Sequence, residues 1–503
     1  MGKAPYSAQT ETSGTAKKLS AHTRNTDKQK KQSPTGKTGQ KHSRQNKKRN
    51  NNSITVKIPA SAVIPGKPEK LKEVPLAEGK LRFLDIGLHE DLQFALQDMG
   101  FEYCTPIQEQ SLPLLLAGND AAGKAQTGTG KTAAFLLALF QKILTTPAPV
   151  APGNGSCRAL ILAPTRELAI QIHKDAEAIS KYTGLRNVVV FGGMDYEKQK
   201  AELSAPVDLL IGTPGRVIDY ARNGLLKLNS AEFLVLDEAD RMLDMGFIPD
   251  VRRIVGMMPG KEERQTLLFS ATLSDEIMRL AANFQKSTSV TVESEPDSVV
   301  GENIRQIFYS VSISEKLPML CYTINHEEFE RMLIFGNRKD HNLRIQHELT
   351  VRGIQCELLS GDIPQQKRLK ILERFRSGST RILIATDVAA RGIHVDNVNI
   401  VVNYDLPEQA EDYVHRIGRT GRAGNTGKSI SFVCEYGAYT MPAIEQLLNC
   451  EFKSVLPEEE MLILPPVIAN IHRDTAGHRR TSGKHHYGHR PAGTAKHRSR
   501  GNF

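Results

Sequence analysis

Between about residue 81 and residue 460 the chain alternates short β-branched runs with longer amphipathic stretches of helical length. The runs are Ala159-Leu160-Ile161-Leu162, Val188-Val189-Val190-Phe191, Leu209-Leu210-Ile211, Phe233-Leu234-Val235-Leu236 and Leu267-Leu268-Phe269. They continue with Leu333-Ile334-Phe335, Ile382-Leu383-Ile384 and Ile400-Val401-Val402. Each is continuously apolar rather than alternating. That pattern predicts strands buried on both faces, as in a parallel sheet covered by helices. The acidic, turn-forming stretch Glu293-Ser294-Glu295-Pro296-Asp297-Ser298 interrupts the series, and a second series begins after it. Two doubly wound α/β domains with parallel sheets are therefore expected.

Outside this region the pattern stops. Residues 1–50 are rich in Lys, Gln, Asn, Ser and Thr and nearly free of aliphatic side chains, so they are expected to be a disordered tail. Residues 54–80, with Pro59, Pro65, Pro68 and Pro75, read as an extended linker. Beyond about Ile471 the chain is rich in Gly, His and Arg, a second tail without a core. At 503 residues the chain has room for two ordinary domains between these tails.

Charge sharpens the division. The net charge is +10, but residues 1–50 hold thirteen Lys/Arg against Glu11 and Asp27, a net of +11. Residues 472–503 hold eight Lys/Arg against Asp474, a net of +7, which leaves −8 for residues 51–471. An acidic body carries two basic tails. No apolar run approaches the length needed to cross a bilayer, and no apolar stretch follows the first basic residues, so neither membrane insertion nor a secretory signal is expected. The six cysteines show no CxxC spacing, which argues against zinc and for buried, reduced thiols in the cytoplasm.

Two motifs carry chemistry. Ala125-Gln126-Thr127-Gly128-Thr129-Gly130-Lys131-Thr132 nearly matches a phosphate-binding loop, with Ala125 at the first glycine position. Backbone N–H groups would cradle phosphate oxygens, Lys131 would bring charge to the β- and γ-phosphates, and the Thr132 hydroxyl would face Mg2+. The strand before it, Asp120-Ala121-Ala122-Gly123-Lys124, is weak by propensity. Downstream, Phe233-Leu234-Val235-Leu236 runs into Asp237-Glu238-Ala239-Asp240. Carboxylates at the carboxyl end of a buried strand sit where open α/β sheets bind ligands. Asp237 is expected to hold Mg2+ and Glu238 to polarise the attacking water. ATP and Mg2+ are the implied cofactors.

Asp237-Glu238-Ala239-Asp240 is the signature of the DEAD-box RNA helicases, and the resemblance covers about residues 81–460. It implies two tandem RecA-like domains: a Q motif at 81–109, an ATP-binding domain at 110–295, a helicase C-terminal domain at 303–462, and tails at 1–80 and 463–503. Gly100-Phe101-Glu102-Tyr103-Cys104-Thr105-Pro106-Ile107-Gln108, with Phe83 upstream, resembles the Q motif. By that likeness Gln108 reads the adenine edge and Phe101 or Phe83 packs beside the base. Ser270-Ala271-Thr272 resembles the coupling motif of the first domain. Pro164-Thr165-Arg166, Gly192-Gly193 and Thr213-Pro214-Gly215-Arg216 resemble its RNA-side elements, whose hydroxyls, glycine N–H groups and arginines suit an RNA backbone. In the second domain Gln365 and Arg368 fit the Q-x-x-R element. Thr386, Asp387 and Arg391 fall in a motif V likeness, and His415-Arg416-Ile417-Gly418-Arg419-Thr420-Gly421-Arg422 in a motif VI likeness. Thr386 is thereby an RNA contact; Asp387, Arg391 and His415 are coupling residues; Arg419 and Arg422 are arginine fingers for the γ-phosphate.

The chain departs from the family pattern at His394, where Asp is frequent, and at Gly336, where a larger residue is common. Arg391-Gly392-Ile393-His394, Asn403-Tyr404-Asp405-Leu406-Pro407 and Cys434-Glu435-Tyr436-Gly437-Ala438 resemble a bacterial branch that partners ribonucleases in mRNA decay. That likeness implies an ATP-dependent RNA helicase in an RNA-degradation complex with an endoribonuclease and polynucleotide phosphorylase. RNA remodelling in ribosome assembly, an ATP-gated RNA clamp and a DNA motor are the rival readings.

Overall fold

A computed structural model describes residues 66–125, 129–148, 153–293, 303–390, 398–421 and 426–468. The two basic tails, Gln126, Thr127, Gly128, Arg391, His394 and Arg422 lie outside the described residues.

The first sheet contains β1 (Ala121–Lys124), β2 (Cys157–Leu162), β3 (Asn187–Val190), β4 (Val207–Gly212), β5 (Phe233–Asp237), β6 (Gln265–Ser270) and β7 (Val290–Glu293). Its order is β3-β4-β2-β5-β6-β1-β7. The second contains β8 (Ile304–Ser310), β9 (Met332–Phe335), β10 (Glu357–Leu359), β11 (Ile382–Ala385), β12 (Ile400–Asn403), β13 (Gly427–Val433) and β14 (Ser454–Val455), in the order β10-β11-β9-β12-β13-β8-β14. The ladders are parallel, for example Ala159↔Phe233 and Ile400↔Met332. These are the two α/β domains expected from the sequence.

Period-two alternation sorts each central strand between two cores. Ala159 and Ile161 of β2 enter one cluster with the helix Lys131–Thr145; Leu160 and Leu162 enter the other with Val217 and Met242. In the second domain Met332 and Ile334 face one cluster, Leu333 and Phe335 the other.

Some boundaries differ from the sequence reading. Phe191 lies beyond the end of β3. Residues 66–80, taken as linker, lie along the first domain: Val74 is buried, Lys72 N donates to Gln97 Oε1 at 2.8 Å, and Tyr103 donates to Pro75 O at 2.7 Å. Residues 463–468, assigned to the tail, are tied to the second domain, with Ile468 N donating to Val351 O at 2.9 Å and Arg352 Nε to Pro465 O at 3.0 Å. Cys157, Cys321 and Cys434 are buried, Cys104 and Cys356 half-buried, and Cys450 exposed, so the expectation of buried thiols fails at Cys450. Among the described residues no helix is long and apolar enough to cross a membrane.

Candidate active site and nucleic-acid interface

At the carboxyl end of β5 the backbone turns sharply. Glu238 takes φ 55 and ψ 55, and the helix Ala239–Asp244 starts immediately after it. Asp237 is fully buried, and its Oδ1 pairs with Lys131 Nζ at 2.9 Å. Its Oδ2 has no hydrogen-bond partner. Leaving an anionic oxygen buried and unmatched is costly, and a hard divalent cation is a natural acceptor for it. Asp237 together with the Thr132 hydroxyl, on the residue after Lys131, therefore fits Mg2+. Among the described residues no group of three or more His, Cys, Asp or Glu could hold a metal. Mg2+ held by one carboxylate and substrate phosphates requires no such group.

Burial disfavours the Lys131 charge, but Asp237, Glu238 and Asp240 outweigh it and hold the ammonium above the ordinary lysine range. Burial raises the Glu238 carboxyl; Lys131 and Arg419 pull it down, while Asp237 and Asp240 push it further up. Arg419, one of the two cations that lower it, comes from the second domain. It is itself buried.

Behind the phosphate loop stands the Q motif. Thr105 caps the helix Pro106–Leu116 in a reciprocal box with Gln108: Thr105 N donates to Gln108 Oε1 at 2.9 Å. Gln108 Nε2 donates to Gly130 O at 3.0 Å, and Thr105 Oγ1 donates to Thr129 O at 2.8 Å. Gly130, at φ +93, has no space for a side chain, since a Cβ would lie 2.5 Å from Gln108 Nε2. Gln108 is 3% exposed and keeps one N–H and one carbonyl lone pair beyond these bonds. Phe83 and Phe101 stack with centroids 6.4 Å apart; Phe83 is buried and Phe101 is 37% exposed, so Phe101 is the ring offered to a ligand. Ala125 is buried, and its N–H donates to Ser270 O at 3.0 Å.

Asp240 links the acidic motif to the coupling motif. Its N–H donates to Ser270 Oγ at 3.3 Å, and its Oδ2 accepts from Ala271 N at 3.1 Å. Thr272 lies two residues past the end of β6. In the second domain Asp387 grips Arg416 through both oxygens, at 2.6 and 2.7 Å. Arg416 is 1% exposed, and also donates to Asn337 Oδ1 at 2.7 Å and to Asp405 O at 2.5 Å. His415, one residue earlier, bonds to Arg241 of the first domain.

On the other flank a cavity of about 450 Å3 is lined by Pro164, Thr165, Arg166, Gly192, Thr213, Gly215, Arg216, Gln365 and Arg368, drawing most of the expected RNA contacts from both domains into one place. Gly193 and Pro214 adjoin lining residues in the chain and Thr386 lies two residues before the lining Val388, but none of the three lines the cavity itself. Gly193, at φ +81, leaves room for Arg166: a Cβ there would sit 2.3 Å from Arg166 Nη1. Arg216 lies over the rings of Tyr196 and Tyr220, at 5.2 and 5.4 Å. The two domains meet here through Glu167, whose Oε1 accepts from Arg368 Nε at 2.9 Å and Gln365 Nε2 at 3.1 Å. Arg166 Nη1 in turn donates to Gln365 Oε1 at 3.2 Å.

Sequence reasoning passed over Glu167, Arg241 and Arg416. Each is buried beside an apolar neighbour in the chain, Leu168, Met242 and Ile417 respectively. A buried charge at such a site requires a partner.

Comparison with known proteins agrees with this geometry. Residues 105–280 match the DEAD/DEAH box helicase family and residues 315–424 the helicase conserved C-terminal domain. The chain is 51% identical over 386 residues to the ATP-dependent RNA helicase RhlB of Pseudomonas putida, covering 76% of this chain and 97% of that protein. It is 47% identical over 402 residues to RhlB of Shewanella piezotolerans, covering 80% of this chain and 92% of that one. Among solved structures, S. cerevisiae Dbp5 bound to RNA and ADP BeF3 superposes with a TM-score of 0.66 at 31% identity, covering 75% of this chain and 95% of that chain. A phosphate loop facing Asp237 and Glu238, two parallel-sheet domains and these matches together show that the chain belongs to the DEAD-box family of ATP-dependent RNA helicases.

Proposed function

We propose that the chain hydrolyses ATP only when its domains close, and that closure grips one RNA strand along the cavity shared by both domains. The observation that carries this reading is the set of side-chain bonds across the domain interface, Glu167 with Arg368 and Gln365 on the cavity side and Arg241 with Asp412 beside the acidic motif. In this reading Phe101 and the spare N–H and lone pair of Gln108 select adenine. Lys131, Thr129, Gly130 and the loop residues Gln126, Thr127 and Gly128 hold the phosphates. Asp237 and Thr132 hold Mg2+, which when bound neutralises charge on the β- and γ-phosphates. Glu238 orients the attacking water and accepts its proton; Arg419 and Arg422 stabilise the charge that develops on the γ-phosphate. Ser270, Ala271 and Thr272 pass the state of Asp240 to the domain interface.

Arg166, Arg216, Gln365 and Arg368 then meet phosphates and 2′-hydroxyls rather than base edges, so strand separation is local and indifferent to sequence. Lys131→Ala should abolish both RNA-stimulated ATP turnover and duplex separation. Parental rates in that variant would refute the reading.

The cellular setting we propose is RNA degradation in the cytoplasm, alongside an endoribonuclease and polynucleotide phosphorylase. This rests on likeness to proteins named RhlB. Co-purification from native cells tests it: ribonucleases should accompany the protein, whereas ribosomal particles alone would move the role to ribosome assembly.

A further inference from the structure

We infer that Arg241 is a positioning residue for hydrolysis, a fork that ties the acidic motif of the first domain to the helix leading to Arg419 in the second. Arg241 directly follows Asp240, and its N–H donates to Asp240 Oδ1 at 2.9 Å. Its guanidinium is 7% exposed and crosses to the helix Ala410–Ile417. There Nη1 donates to Asp412 Oδ1 at 2.7 Å, and Nη2 bonds to His415 Nδ1. Asp412 and His415 are three residues apart and share one helix face. Arginine can only donate, so His415 accepts at Nδ1 and carries its proton elsewhere.

The same helix is anchored on its other side by Arg416, clamped between Asp387 and Asn337 of its own domain. Arg419 begins just beyond the helix end. Its distance from Glu238 is therefore set by a helix held from both sides, through Arg416 within the second domain and through Arg241 from the first. Removing the guanidinium leaves Asp412 with a lost partner at a half-buried interface and frees that helix to tilt. The bond exists only with the domains together, so its effect belongs to the closed state and not to either domain alone.

The inference rests on the closure reading above, and the test separates the two. In the full chain, Arg241→Ala is expected to lower RNA-stimulated kcat by about ten- to a hundredfold, the lower end of what close charge pairs across interfaces contribute. ATP affinity of the RNA-free protein should stay within about twofold. RNA affinity should fall in the presence of a non-hydrolysable ATP analogue and not in its absence. Asp412→Ala should reproduce these effects from the opposite domain, which keeps the test alive if Arg241→Ala folds poorly. The double variant should be no worse than the weaker single one, since both remove one interaction. Arg241→Lys should recover only part, because a point charge cannot bridge Asp412 and His415 together. Additive losses, or a normal Asp412→Ala protein, would overturn the inference and leave Arg241 as a residue of the first domain's own packing. A parental protein without RNA-stimulated turnover would instead sink the closure reading.

Discussion

Glu238 holds a left-handed backbone that costs a non-glycine residue about 1–2 kcal/mol. Glycine would relieve that strain, yet a carboxylate stands there, buried, next in the chain to the Asp237 that pairs with Lys131. Strain and burial together mark a side chain retained for chemistry rather than stability. A pH consequence follows from its raised pKa. The folded state holds the Glu238 proton more tightly than the unfolded chain, so this group's contribution to stability is complete below the ordinary glutamate range. It is lost as pH rises through the raised folded value. At pH 8, Glu238→Gln should therefore melt at a higher temperature than the parent, and the difference should vanish on acidification. Turnover should drop by about 10²–10⁴-fold, the usual share of a general base. Thermal melts across pH, paired with ATPase assays, check both halves; a variant less stable than the parent at pH 8 would contradict the sign. At this scale the sequence showed Lys131, Asp237 and Glu238 because loop and strand motifs sit in linear order. Glu167 and Arg241 stayed hidden because their partners Arg368 and Asp412 are far along the chain.

β1 shows why one element was hard to read. Its residues Ala121-Ala122-Gly123-Lys124 lack branched side chains, yet it pairs with both β6 and β7. The Phe269 ring occupies the place where a Gly123 Cβ would be, 2.6 Å away, so small residues are what this position between large neighbours demands. The continuous-run criterion finds β2 to β6, β9, β11 and β12 and misses β7, β8, β10, β13 and β14, where the apolar run is short or broken by polar residues. The Gly336 departure has a similar steric origin. A Cβ there would lie 2.0 Å from Asn342 Oδ1, on a side chain that is fully buried and donates from Nδ2 to Gly336 O at 3.1 Å. Asn342 fills the space beside Gly336, and its Oδ1 has no partner. Gly336→Ala should destabilise the second domain by about 1–3 kcal/mol, as overpacking does. Asn342→Ala added to it should restore part of that loss. Urea denaturation of the three proteins measures this, and a double variant weaker than both singles would show that the two sites do not share the space.

For the whole molecule the governing feature is charge separation: tails of +11 and +7 around a stretch of −8. Several cations of the folded body are engaged within the protein: Arg368 with Glu167, Arg416 with Asp387, Arg241 with Asp412. A body of net negative charge repels a polyanion at long range. Basic tails are expected to reverse that field locally and to raise the RNA concentration near the cavity without selecting a sequence. Each phosphate that a tail neutralises on a single strand adds about 0.7 to the slope of log affinity against log salt. Deleting residues 1–50 and 472–503 removes cations without touching a described residue. The truncated protein should bind RNA more weakly at low salt, with a slope shallower by about two or more. Its turnover at saturating RNA should match the parent, because Lys131, Glu238 and Arg419 are unchanged. RNA titrations between low and physiological salt decide the matter. An unaltered slope would mean that the tails do not touch RNA and that the cavity between the domains carries all of its electrostatic grip.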